Sequence, residues 1–205
     1  MPAGQVRAII FDIGRVLIRI DVVRAMTGLA SGFALSPEEL WHSIEKDPRW
    51  RDWQEGRIAA NDWHLHLNRR FGGALPFSKF TETWNQVLHP EPLQDLAFLK
   101  KLSKKYKLAM LSNTDPVHVA YMESRYDFFS LFPVRVYSCA VGVAKPNPVI
   151  YREALRGCRV QAQEAVYIDD IPAYVEAARA LGMGGICYES PEQLNSQLAE
   201  LGVSV

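Results

Sequence analysis

Three apolar runs in this chain end on groups able to do chemistry. "AIIFD" ends on Asp12, "LAMLSNT" on Ser112, Asn113 and Thr114, and "AVYIDD" on Asp169 and Asp170. A fourth stretch, "GVAKPNP", carries Lys145. Singly, each has an ordinary explanation. An aspartate after a strand caps a helix or makes a turn, a Ser-Asn pair makes a turn, and a loop lysine is solvated. Brought together they are three carboxylates, a hydroxyl and an ammonium. Clustered carboxylates repel one another unless a cation sits among them, and hard oxygen donors suit Mg²⁺. Asp115-Pro116 and Asn147-Pro148 each read as an N-cap with proline at the first helical position. Ser112–Thr114 and Lys145 therefore stand just ahead of helix N-termini, which attract anions. An anion site beside a Mg²⁺ site implies phosphate chemistry.

These groups meet only if the right elements carry them. Five segments read as buried strands: 6–11, 106–111, 134–137, 165–168 and 185–188. From Tyr106 onward they alternate with helical patterns, which predicts a parallel α/β sheet with helices on both faces. Ligands in such sheets bind beyond the carboxyl ends of the strands, where the residues above fall. Leu93, Leu96, Leu99 and Leu102 recur at helical spacing, as do Tyr174, Ala177, Ala178 and Leu181. Leu194, Leu198 and Leu201 follow a capping box at Ser190–Gln193. Between Asp21 and about His89 the strand signals stop. That region holds all five tryptophans, a capping box at Ser36–Glu39 and a helical face of Trp63, Leu67 and Phe71. It reads as an insert of three to five helices, its tryptophans mostly core with one or two on the lid. "HPEP" and "FGGALP" read as turn punctuation. The expected division is a core of 1–18 and 90–205 with a helical cap of 19–89.

Composition bounds the partners. Among 205 residues, 23 basic groups balance 23 acidic ones. No net field draws the chain to nucleic acid or an anionic membrane. Three cysteines without C-x-x-C spacing read as reduced thiols of a cytoplasmic protein. Asp12, Arg15 and Arg19 break the most apolar stretch, and "MPAGQVR" leaves no room for a signal peptide. His64 and His66 lie two apart on a predicted helix and do not face one metal. His118 falls in the first turn of the helix after Ser112.

The segments "IIFDIGRVLI", "LAMLSNTD", "GVAKPNPVIY" and "VYIDDIPAYVEAARALGM" resemble, in order and spacing, the four motifs of the haloacid dehalogenase superfamily. The insert sits where that superfamily places its first-type cap. The likeness is greatest to the branch of α-glucose-1-phosphate phosphatases, with the phosphatase domain of soluble epoxide hydrolase nearby. It implies a Rossmann-like three-layer core and a Mg²⁺-dependent phosphatase acting on a small, sugar-phosphate-like monoester. It implies Asp12 as nucleophile forming an aspartyl-phosphate. Mg²⁺ would be held by Asp12, the Gly14 carbonyl and Asp170, with Asp169 acting through water. Ser112, the Asn113 backbone, Thr114 and Lys145 would bind the phosphate. The cap stretch "WQEGRIAANDWHLHL" also resembles that branch, and places Glu55, Gly56 and Arg57 in a turn facing the substrate.

Two positions depart from the superfamily pattern. Gly14 stands where most of its phosphatases carry an aspartate as general acid and base. A leaving group that needs little protonation, such as an anomeric hydroxyl, would tolerate this; Arg15 offers charge but no proton. Tyr174 stands where relatives often place Asn or Asp. Two alternatives follow: a 2-haloacid dehalogenase, opposed by the paired acids of "YIDDIP", or a non-catalytic phosphate-binding protein, suggested by Gly14. The expected partner is a small phosphorylated metabolite, and the expected state a monomer or homodimer.

Overall fold

The computed structural model describes residues 5–33 and 35–204; residues 1–4 and 205 of the expected core and residue 34 of the expected cap lie outside them. The sheet has five strands: β1 (Ala8–Phe11), β4 (Lys107–Ser112), β5 (Val134–Tyr137), β6 (Ala165–Asp169) and β7 (Gly184–Cys187). All pair in parallel, in the order β5-β4-β1-β6-β7. The alternation inside β1 shows why. Ala8 and Ile10 enter one apolar layer, Ile9 and Phe11 the other, and all four are buried. A strand apolar on both faces needs helices on both faces. α6 (Leu96–Ser103), α7 (Pro116–Arg125) and α11 (Pro191–Glu200) supply Leu99, Leu102, Met122, Leu194 and Leu198 to one layer. α9 (Pro148–Cys158) and α10 (Pro172–Ala180) supply Ile150, Tyr151, Ala154 and Ala178 to the other, and α8 (Ser138–Val141) is a single turn after β5. The core is a Rossmann-like three-layer α/β fold.

After β1 the chain runs to one side, through β4 and β5, then crosses to β6 and β7 on the other. The carboxyl end of β1 is thus flanked by those of β4 and β6, the arrangement that opens a crevice in such sheets. Phe11 is level with Met110 and with Ile168. Asp12 and Asp169 each follow by one residue and stand side by side.

The helical insert comprises α1 (Val22–Ala30), α2 (Pro37–Glu45), α3 (Trp50–Gln54), α4 (Ala60–Phe71) and α5 (Phe77–Trp84). Ser36 and Glu39 form the expected capping box. At Ser190 only half of the second box forms: Ser190 caps Gln193 N, while Gln193 Oε1 accepts from Glu189 N. The insert has its own apolar core, in which Trp53 and Trp63 stack at 5.8 Å and Trp84 is also buried. Trp41 and Trp50 meet edge to face at its boundary, half-buried.

"HPEP" is not a turn. β3 (Leu88–Pro92) pairs antiparallel with β2 (Ile18–Ile20), with an irregular register between Ile18 and Ile20. Proline is tolerated in a strand whose outer edge needs no donor, so its punctuation value is overridden there. The expected boundaries at 18/19 and 89/90 fall inside this ribbon. Among the described residues no helix is long and apolar enough to cross a membrane.

Trp63 is fully buried against Trp53. Trp63→Ala is expected to lower stability by about 3–5 kcal/mol in urea denaturation; a loss near zero would contradict this packing.

Candidate active site

Lys145 organises the sheet edge. Its Nζ lies 2.8 Å from Asp12 Oδ1 and 2.7 Å from Asp169 Oδ2, and its side chain is buried. The rings of Tyr174 and Tyr167 lie 5.0 Å and 5.7 Å from the same nitrogen. Burial works against the charge on Lys145, but Asp12 and Asp169 outweigh it and hold its pKa above the usual lysine value. Both oxygens of Asp169 are engaged: Oδ2 also accepts from Tyr167 OH, and Oδ1 from Ile171 N at 2.8 Å. Asp170 also meets the exposed Arg15 guanidinium, at 3.6 Å.

Asp12, Asp169 and Asp170 each bring one carboxylate oxygen within 4.8 Å of the others. One buried ammonium does not offset three carboxylates. Burial raises Asp12 to about 6, with Asp169 pushing the same way against Lys145. Burial and Asp169 likewise raise Asp170. This donor set suits a hard divalent cation.

Asp12 and Asp170 open onto a cavity of about 400 Å³, with Asp169 fully buried beside them. Asp12, Gly14, Ser112, Asn113, Lys145 and Asp170 line its sheet side, with Arg15 and Tyr174 beside them. The insert closes the opposite side with Trp41, Glu45, Trp50 and Gln54. Arg15 adopts a left-handed conformation, φ 58°. Asn113 serves two ends. It lines the cavity, yet its side chain accepts from Lys145 N at 2.7 Å and donates to Lys145 O at 3.1 Å. It thereby ties the Ser112 loop to the Lys145 loop.

The family model of the haloacid dehalogenase-like hydrolases matches residues 6–182, from the strand before Asp12 to the helix after Asp170. The chain belongs to that family. Flavin mononucleotide hydrolase 1 of Arabidopsis thaliana is 38% identical over 68 residues, which are 33% of this chain; the match spans 28% of that protein. D-ribitol-5-phosphate phosphatase of Bacteroides thetaiotaomicron is 22% identical over 184 residues, 87% of this chain and 89% of that one. A solved HAD family enzyme of Bacteroides thetaiotaomicron, in complex with magnesium and inorganic phosphate, superposes with a TM-score of 0.81 at 22% identity. It covers 91% of this chain and 96% of that one. That last likeness is one of fold.

Two residues expected at the substrate lie elsewhere in this hydrolase. Glu55 does not line the cavity. Its side chain is 1% exposed and is held by Arg51 Nε at 3.1 Å, Arg57 Nη1 at 2.5 Å and the backbone N–H of Ala144 at 3.1 Å. Burial would raise its pKa, but these donors keep it below the ordinary glutamate value. Its turn packs on the core: a Cβ on Gly56 (φ 70°) would lie 2.0 Å from the Cys139 carbonyl oxygen. Thr114 is also away from the cavity lining. Its N–H donates to the Ser138 hydroxyl at 2.9 Å as the chain turns into α7. His64 and His66 have separate partners, Leu75 O and Asp47, as their spacing implies.

The sequence reading missed Tyr167 and Ser138. Tyr167 had a signal: two residues before Asp169 on a strand, it shares that residue's face. Ser138 had none, because its partners are backbone groups far along the chain. His118 stands in the first turn of α7, as expected. It joins Asp115 and Trp84 where the insert meets the core. Trp84 Nε1 donates to Asp115 Oδ2 at 3.0 Å and stacks on His118. His118 Nδ1 lies 2.8 Å from Asp115 Oδ2, and its Nε2 3.1 Å from Trp84 O.

Both ring nitrogens of His118 therefore face acceptors, which favours the imidazolium. Burial opposes that charge, but Asp115 and the Trp84 carbonyl outweigh it and raise the pKa above 6.5. The stabilisation is fully present below 6.5 and is lost as pH rises through the folded-state value. The stability gap between wild type and His118→Gln should shrink from mildly acidic to mildly alkaline pH in denaturation midpoints. A constant gap would exclude a charged His118.

Proposed function

We propose that this chain is a magnesium-dependent phosphatase that cleaves small phosphate monoesters, of sugar-phosphate type, through an aspartyl-phosphate on Asp12. The observation that carries this reading is the grouping of Asp12, Asp169 and Asp170, with buried Lys145 bonded to the first two, at a cavity that Asp12, Lys145 and Asp170 line. The relatives named as phosphatase and mononucleotide hydrolase, and the neighbour holding magnesium and phosphate, support it.

The residues present fit Mg²⁺. Asp12 and Asp170 have oxygens to offer, and Gly14, which lines the same cavity, would add its backbone carbonyl. Asp169, with both oxygens engaged by protein donors, suits an outer role through water. When bound, the ion neutralises charge shared by the carboxylates and the phosphate.

The protein's own groups account for the remaining chemistry. Lys145 fixes Asp12 by a charge-assisted hydrogen bond and leaves the second carboxylate oxygen free to attack phosphorus. Attack forms the Asp12–phosphorus bond and breaks the bond from phosphorus to the ester oxygen. Ser112 hydroxyl and the Lys145 ammonium stabilise charge on the non-bridging oxygens. Water then attacks the aspartyl-phosphate, releasing phosphate and restoring Asp12. The departing alkoxide needs a proton, and Gly14 provides none. Substrates whose leaving group is a weak base suit this site best.

p-Nitrophenyl phosphate should be hydrolysed with Mg²⁺ and not with EDTA. Asp12→Asn should abolish turnover while the far-UV spectrum is kept; EDTA-resistant turnover or an active Asp12→Asn would overturn the assignment. A Cβ at Gly14 meets only Ile20, at 3.4 Å, so a side chain fits there. Gly14→Asp should raise kcat roughly 10²–10⁴-fold on alkyl phosphates and far less on p-nitrophenyl phosphate. Equal gains across a leaving-group series would refute this account of Gly14.

A further inference from the structure

We propose that the insert's turn Gln54–Arg57 is a latch that sets the positions of the Lys145 and Ser112 loops, with Glu55 as its positioning residue. The inference rests on the phosphatase reading, because those two loops carry the groups assigned to the phosphate.

One turn reaches both loops. Glu55 Oε1 accepts from the N–H of Ala144, the residue before Lys145. The Ser138 hydroxyl lies 2.6 Å from the carbonyl of Gln54 and accepts from Thr114 N, two residues after Ser112. Asn113 then joins the loops by its paired bonds to the Lys145 backbone. Gly56 fits against the Cys139 carbonyl with no space for a side chain, so the approach is as close as backbones allow. Docking of this turn gives the Ala144 N–H a buried acceptor and fixes the peptide from which Lys145 reaches Asp12. Withdrawal would leave that N–H unpaired, which a buried donor resists.

Reach and charge are separable at Glu55. Its ion-pair partners Arg51 and Arg57 are 72% and 52% exposed and free to follow it, whereas the Glu55 carboxylate itself is 1% exposed. The buried contact is the one to Ala144. Glu55→Gln keeps an acceptor oxygen at that distance and removes the charge. Glu55→Asp keeps the charge, which mobile arginines can follow, and withdraws the oxygen by one methylene.

The experiment compares wild type, Glu55→Gln and Glu55→Asp with Mg²⁺ present. It measures kcat and KM on p-nitrophenyl phosphate, inhibition by inorganic phosphate, thermal unfolding, and amide exchange at Ala144 and Lys145. Misplacing a reacting group by about 1 Å can cost on the order of 100-fold. Glu55→Asp should therefore lose about 10- to 100-fold in kcat/KM and bind inorganic phosphate more weakly, with fast exchange at Ala144. Glu55→Gln, which keeps an acceptor at the same reach, should stay close to wild type in kcat/KM, with slow exchange. The reverse order, with Gln impaired and Asp intact, would assign Glu55 to its arginines and overturn the latch. Exchange alike in all three proteins, or activity losses that only track thermal unfolding, would overturn it too. If wild type releases no phosphate while exchange still follows the expected order, the phosphatase reading fails and the latch on the Lys145 loop stands.

Discussion

The buried ammonium of Lys145 between Asp12 and Asp169 is the contact on which the rest of this structure depends. Each partner comes from a different segment: the end of β1, the end of β6 and the loop before α9. Removing one member of a buried charge pair costs about 3–5 kcal/mol, because the other is left without compensation. The three segments must therefore arrive together or not at all. The parallel sheet makes that possible by placing β4, β1 and β6 side by side with their carboxyl ends on one edge. The contact remains electrostatically incomplete, since Asp12 and Asp170 both stay above ordinary carboxylate pKa values. That incompleteness matches a site built to take up further positive charge.

The insert completes the site from outside. Its core centres on Trp53 stacked on Trp63 and takes in Val117 of α7, while Trp41 and Trp50 line the cavity. It meets the core at two polar places beyond the β2–β3 ribbon. One is the Asp115–His118–Trp84 cluster, which leaves the first turn of α7 bonded to the end of α5. The other is the Gln54–Arg57 turn against the loop before Lys145. Both core partners lie close in sequence to Ser112 or Lys145. Insert position and sheet-edge geometry thus share hydrogen bonds, not merely surface.

The sheet and its edge were readable from the sequence because both rest on local signals. Apolar runs mark buried strands, a polar residue after each run marks the edge, and Asp115-Pro116 and Asn147-Pro148 mark helix starts that the structure contains. What escaped reading depends on pairing at a distance. The prolines of "HPEP" signal a turn, and only the partner β2 makes them a strand. Glu55 in an acidic-glycine turn signals exposure; its acceptor role appears only when Ala144, 89 residues away, is placed beside it. Thr114 continued a stretch of site residues in sequence, yet the turn into α7 carries it behind the edge.

Gly14 is informative because nothing conformational demands glycine there. Its φ is not left-handed, and a Cβ would make only an ordinary contact with Ile20. The fold accepts a side chain at this position, so the absence of an acid belongs to the chemistry of the site. An aspartate there would add a fourth carboxylate at the cavity that Asp12 and Asp170 line. Like charges raise a carboxyl pKa, and Asp12 already stands at about 6 under burial and Asp169. In the proposed reaction Asp12 must be ionised to attack. A glycine at position 14 forgoes proton donation and spares the nucleophile that added repulsion. The exchange favours esters whose oxygen departs easily, for which an ionised Asp12 matters more than a proton delivered to the leaving group.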